Sequence, residues 1–372
     1  MNTLFTRTFS HINLTVPIIS APMAFASGGL LAARVSCAGA LGLIGSGYNE
    51  TSDWILAEIA TAKRIAPPVG LGNVLPFGLG YITWWLETRP GLLMDALEAT
   101  RSTPLAAVWF SFGEYRPFLK VVRERSPLTK VIVQVGTVDE AVRAAGDGVD
   151  VIVVQGNEAG GHGKSTNSTT ITLTPETVTR LRPHHPQLPI ISAGGIADGR
   201  GLAASLSLGA SGVCMGTRFM ACDESGYPPG AKRAVVEGSD GGVSTVRTGV
   251  FDVLRGLPWP EGYDGRAVRN RVTEEEGMGI EVVREVWETA TREGDKDGLV
   301  GDVRRAVFAM TLLCVPILTD DVHYWNVAQS PGNLRRLWPW TRPGCPPCRD
   351  YRPAHNGGGC GGDSDRFGGV VD

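Results

Sequence analysis

The sequence predicts a (β/α)8 barrel, and three observations predict it. Eight short apolar runs recur between residues 17 and 216, amphipathic helical patterns separate them, and glycine-rich segments stand at the ends of several runs. The runs are 17–23, 41–46, 69–75, 105–111, 130–135, 149–155, 189–193 and 212–216. Each has the length of a strand, and continuous apolar character marks strands covered on both faces. Between them, 28–40, 52–66, 90–102, 115–126, 137–146, 174–183 and 198–209 carry helical periodicity. A doubly wound open sheet competes, but it concentrates its glycines at the first turn rather than at several strand ends.

Taken in order, the strands place the chemistry. The first ends in Ala21-Pro22-Met23. The third contains Asn73 and the fifth Gln134, polar side chains in apolar surroundings. An uncompensated buried amide costs on the order of 1–3 kcal/mol, so each requires a partner. The sixth run leads into Gln155-Gly156-Asn157-Glu158-Ala159-Gly160-Gly161-His162. A histidine after a strand and two glycines is expected on a loop where backbone and imidazole both approach a ligand. Imidazole titrates near neutrality, which suits a general base. Glu158 has two readings, orienting His162 or standing as a solvated carboxylate.

The last two strands end in Ala193-Gly194-Gly195-Ile196 and Met215-Gly216-Thr217-Arg218. In a barrel these are the loops whose backbone N–H groups commonly hold a phosphate, and a Cβ there would block its approach. Tight turns are the alternative reading of either cluster alone; the pair points to a phosphate-bearing cofactor. Asp198 is placed to cap the following helix and Arg218 to tie the barrel rim. Trp84, Trp85, Trp259 and Tyr263 are either pocket walls or core and rim aromatics.

Composition bounds the rest. The chain has 372 residues, 42% apolar and 20% charged, with a net charge of −3. That balance offers no electrostatic grip on nucleic acid, and no stretch reaches the ~20 apolar residues of a membrane span. Cys37, Cys214, Cys222 and Cys314 sit in apolar segments and are expected as buried, reduced thiols of an intracellular, cytoplasmic protein. Three parts are expected: a barrel over 1–222, a smaller mainly helical domain over 223–308 that covers the substrate, and a divergent, poorly ordered segment over 309–372 rich in Gly and Pro. Within the last, Cys345, Cys348, His355 and Cys360 are zinc-type ligands with a spacing longer than a zinc knuckle's.

Four motifs in order, Pro17 to Met23, Glu158 to His162, Ser192 to Arg200 and Met215 to Phe219, resemble the nitronate monooxygenases, formerly 2-nitropropane dioxygenases, and most closely their fungal members. The resemblance spans about residues 12–310. It implies a (β/α)8 barrel that contains FMN and oxidises alkyl nitronates, and in some members nitroalkanes, with O2 to a carbonyl compound and nitrite; with the pair of phosphate loops, the FMN is expected to bind without a covalent link. It implies His162 as the catalytic residue, with Ala21, Pro22, Met23, Asn73, Gln134, Gly160, Gly161, Gly194, Gly195, Gly216 and Thr217 around the cofactor. No metal is called for. Gln134 stands where bacterial relatives carry lysine. Residues 308–316 depart from the family pattern, with Met310 in place of a glycine. FMN-dependent enoyl-thioester reductases share the barrel and parts of these motifs, so an NAD(P)H-dependent reductase and a non-catalytic flavin-binding relative stay open.

Overall fold

The structure, a computed structural model, describes residues 2–293 except 71, 275, 276 and 278. Eight parallel strands form one sheet: β1 (Ile18–Ser20), β2 (Gly42–Gly45), β3 (Leu75–Ile82), β4 (Leu105–Ser111), β5 (Lys130–Val135), β6 (Val151–Gln155), β8 (Ile190–Ala193) and β9 (Gly212–Met215). A second sheet is antiparallel and holds β7 (Gly161–Lys164), β10 (Thr245–Thr248) and β11 (Tyr263–Val268), in the order β10-β11-β7. In the large sheet β1 pairs with β9, and a bridge from Ile19 to Leu41 joins β1 to β2. The edges therefore meet and the sheet closes into the predicted barrel.

Period-two alternation sorts side chains inside and out. In β6, Val151 and Val153 point into the barrel beside Trp109, Ile132 and Ile191, whereas Ile152 and Val154 meet the surrounding helices through Leu173 and Leu181. Phe5 and Phe9, fully buried on the N-terminal helix and the turn after it, pack with this interior near Leu41 and Val74, where the strands begin. That end is sealed with apolar side chains and leaves the other for chemistry.

One strand differs from the sequence expectation. Val69 and Val74 exchange both backbone hydrogen bonds across a turn in place of the expected strand, and Asn73 lies in the left-handed region at φ 50°. β3 begins only at Leu75. The described segment after residue 222 is mainly helical, with helices such as Pro229–Glu237 and Ile280–Glu293, and it also supplies the strands β10 and β11. Cys37 is exposed rather than buried, Cys214 is buried and Cys222 is half-buried. No helix among the described residues is long and apolar enough to cross a membrane. Cys314, the 308–316 segment and the Cys345, Cys348, His355 and Cys360 set lie outside the described residues.

Candidate active site

His162 sits on strand β7, not on a free loop. β7 pairs antiparallel with β11, His162 opposite Gly265, so a segment a hundred residues downstream turns the presumed loop into sheet. His162 and Lys164 share one face of that strand. On this face His162 Nε2 lies 3.0 and 3.1 Å from the two carboxylate oxygens of Asp252, and both side chains are buried, at 10% and 7% exposure. Asp252 belongs to the short helix Val250–Arg255, its N–H donating to Gly249 and its carbonyl accepting from Leu257. The indole of Trp259 stacks on the imidazole, and Trp259 Nε1 donates to the hydroxyl of Tyr48 at 3.0 Å. Phe112, Trp84 and Tyr263 surround that indole in edge or tilted contacts.

Burial pushes the His162 pKa below its ordinary 6.5, more strongly than the hydrogen bond and charge of Asp252 pull it up. Arg255 adds to the lowering. Near pH 7 the imidazole is therefore neutral and can accept a proton.

Amides tie this residue to the barrel. Gln134 Nε2 donates to Gln155 Oε1 at 2.9 Å, Gln155 Nε2 donates to the His162 carbonyl at 3.0 Å, and Asn167 Nδ2 donates to the Gln155 carbonyl at 2.7 Å. Gln134 is thus paired within the protein and also lines a cleft.

That cleft lies where strands end. It holds Ala21 and Met23 after β1, Gln134 on β5, Gln155 on β6, Ala193 at the end of β8 with Gly194 and Gly195 after it, and Gly216 to Arg218 after β9. Glu158 to Gly160 complete the wall, and the empty space is about 710 Å3, part of it open to solvent. Gly194 and Gly195 have φ of 111° and 65°, and a Cβ on Gly194 would stand 2.8 Å from Thr170 Oγ1 and 3.2 Å from the Ala159 nitrogen. Small side chains and glycine loops, whose backbone N–H groups a ligand can approach closely, suit an anionic phosphate beside a flat group, and Arg218 also lines this cleft. An adjoining cleft shares Gln134 and Gln155 and includes Lys164, Tyr263, Phe112 and Glu140. His162 lies on β7 between Gly160, in the first cleft, and Lys164, in the second.

Several expectations change at this point. Asn73 precedes β3 at the opposite end of the barrel, is exposed, and donates to the Ser102 carbonyl, so it is not near this cleft. Its misplacement follows from the misplaced strand. Pro22 packs against Gly80 of β3, where a Cβ would come within 2.3 Å of the ring, so it braces the wall rather than lining it. Glu158 does not reach His162: its carboxylate accepts from the Thr170 N–H at 2.9 Å and from the Thr170 hydroxyl at 3.1 Å, capping the helix Thr170–Leu181. Gly161 opens β7 with φ 72°. Asp198 caps its helix as anticipated, accepting from Arg200 and Gly201. Arg218 adds to the cleft wall. Sequence reasoning missed Asp252. A carboxylate amid Val250, Phe251, Val253 and Leu254 is a signal of a buried acid, but nothing in the sequence connects it to a histidine 90 positions away.

Comparison with known proteins gives a consistent picture. Residues 6–284 match the family model described as nitronate monooxygenase. The chain is similar to the nitronate monooxygenase npaC of Metarhizium robertsii, 38% identical over 294 residues that cover 75% of this chain and 80% of that protein. It is similar to a nitronate monooxygenase of Neurospora crassa, 34% identical over 307 residues covering 76% and 81%. Among solved structures it resembles FabK from Thermotoga maritima, with a TM-score of 0.64, 29% identity and coverage of 84% of this chain and 89% of that one.

Proposed function

We propose a function from one premise: the chain belongs to the nitronate monooxygenase family. It is a flavin-dependent oxidoreductase that oxidises nitronates. The flavin is FMN, and the cleft after β8 and β9 is its site, with Gly194, Gly195, Gly216 and Thr217 around the phosphate. Ala21, Met23, Gln134 and Gly160 border the rest. FMN, when bound, supplies the electron acceptor that the side chains lack.

The observation that carries this reading is a buried imidazole, held by Asp252, on the strand bordering a glycine-built cleft at the barrel mouth. His162 takes the α-proton of a neutral nitroalkane. The C–H bond breaks, its electron pair moves into the nitro group, and the substrate becomes the nitronate. With O2 the overall products are a carbonyl compound and nitrite. The aromatic wall and the burial of His162 exclude water from the proton acceptor.

The test is an absorbance spectrum of the purified protein, followed by propyl-2-nitronate with and without oxygen. A flavin spectrum, FMN released on denaturation, bleaching without oxygen and nitrite with it are expected. A yellow protein that makes no nitrite would overturn the reading in favour of a non-catalytic binder. Because enoyl-thioester reductases share parts of the motifs, NADPH is added under anaerobic conditions; rapid bleaching by NADPH without nitrite formation would favour a reductase.

A further inference from the structure

We propose that Asp252 is a positioning residue that holds His162 in the tautomer with its proton on Nε2, leaving Nδ1 as the atom that receives the α-proton. The inference rests on the base role of His162. Both carboxylate oxygens lie within 3.1 Å of Nε2, in a pair of which neither side chain exceeds 10% exposure. A carboxylate only accepts, so Nε2 donates, and a neutral imidazole has one N–H to give. The lone pair is therefore on Nδ1. Nδ1 has no hydrogen-bond partner among the described residues. Turning the ring over by 180° would bring Cε1 to the place of Nε2 and break the contact with Asp252, and the stack on Trp259, with centroids 3.6 Å and planes 4° apart, opposes the rotation this needs.

The proton balance is simple. When the substrate C–H bond breaks, the proton goes to Nδ1, the electron pair stays with the nitronate, and the imidazolium formed keeps Nε2–H on Asp252. The carboxylate then faces a positive ring, a stronger interaction than with the neutral one. Other charges bear on this ring: Arg255 on the Asp252 helix opposes protonation, Asp264 on β11 favours it, and the Tyr48 hydroxyl sits behind Trp259. Asp252 is the one in contact.

The experiment uses holoenzyme and two measurements. First, protein labelled with 15N-histidine is examined in the wild type, where the His162 resonances should show Nε2 protonated and Nδ1 bare; an Nδ1–H tautomer would overturn the proposal. This needs no variant and survives any folding defect. Second, Asp252→Asn is compared with His162→Asn. An outer-shell partner of a metal-bound histidine is worth 10–100-fold, and the carboxylate that sets the tautomer of a catalytic histidine is worth up to about 10⁴-fold, so kcat/KM on a neutral nitroalkane should drop by at least about tenfold. The rising limb of its pH profile should move to lower pH, since the carboxylate raises the imidazole pKa. Asp252→Glu should restore part of both, and turnover of preformed nitronate should change less. If His162→Asn loses nitroalkane activity while Asp252→Asn keeps wild-type rate and pH profile, Asp252 has no such role. If His162→Asn itself keeps full nitroalkane activity, it is the base reading that fails.

Discussion

The indole of Trp259 lies face to face with the imidazole of His162, with centroids 3.6 Å apart and planes 4° apart. Trp259 is in turn held by Tyr48 through its indole N–H and by the rings of Phe112 and Trp84 at 5.2 and 5.4 Å. One aromatic assembly thus fixes the plane of the proton acceptor and keeps water from one of its faces.

Trp259→Ala removes that cover. Burial is the largest cause of the low His162 pKa, so admitting water should return it toward 6.5. The rising limb of kcat/KM against pH for a neutral nitroalkane should therefore move to higher pH. Lost orientation should also lower kcat/KM, by roughly tenfold. A pH profile identical to wild type would contradict the assigned role of the stack.

His162→Asn separates proton abstraction from oxidation. General-base assistance is typically worth 10²–10⁴-fold, so turnover of neutral nitroalkanes should fall by about that much. Preformed nitronate has already lost the proton and should suffer far less. Flavin content, read from the absorbance ratio, should be unchanged because the glycine loops are untouched.

What could be read from the sequence followed from physics that acts locally. Apolar runs of strand length and glycine clusters at their ends revealed the barrel and the cleft after β8 and β9. β3 was misplaced because its true span, Leu75–Ile82, contains Pro76, Gly78 and Gly80, which weaken a strand signal. Those glycines are required by packing: a Cβ at Gly78 would fall 2.5 Å from the Ala107 carbonyl, and one at Gly80 would strike Pro22. The apolar run before it is broken by Gly70 and Asn73 in left-handed conformations, which apolar periodicity does not register. The His162 site needed contacts of long range. β7 exists only because β11 pairs with it, and Asp252 and Trp259 arrive from a segment that sequence patterning treated as a separate helical cover.

Gly195→Val tests the phosphate cleft. Gly195 has φ 65°, a conformation that costs an L-residue about 1–2 kcal/mol, so some loss of stability is expected. A branched side chain on this loop would also occupy the cleft it lines. The variant should keep a barrel-type circular dichroism spectrum and lose its yellow colour. Retention of one flavin per chain would rule out this loop as the phosphate site.

Glu158→Ala should reveal a cap rather than a catalytic group. The carboxylate satisfies the Thr170 N–H at the start of the helix Thr170–Leu181, and loss of such a cap typically costs about 0.5–2 kcal/mol. The melting temperature should drop by a few degrees. In the flavin-loaded fraction, the pH dependence of nitroalkane turnover should stay as in wild type, because Glu158 makes no contact with His162. A displaced pH profile would reinstate it as an orienting group.

His162 also makes stability depend on pH, with a definite sign. Its folded-state pKa is below the unfolded value near 6.5, so the unfolded chain binds the proton first as pH falls. The stability that comes from burying a neutral imidazole is complete above the unfolded pKa and is lost as pH drops from there toward the folded one. Melting temperatures of wild type and His162→Asn, measured at pH 7.5 and again near 5.5, isolate this contribution from that of other groups, which both proteins share. The wild type should lose more stability across the interval than the variant, whose amide does not titrate. Equal losses would mean that His162 is not protonated at a lower pH in the folded protein than in the unfolded one, and the burial argument for its neutrality at pH 7 would fall with it.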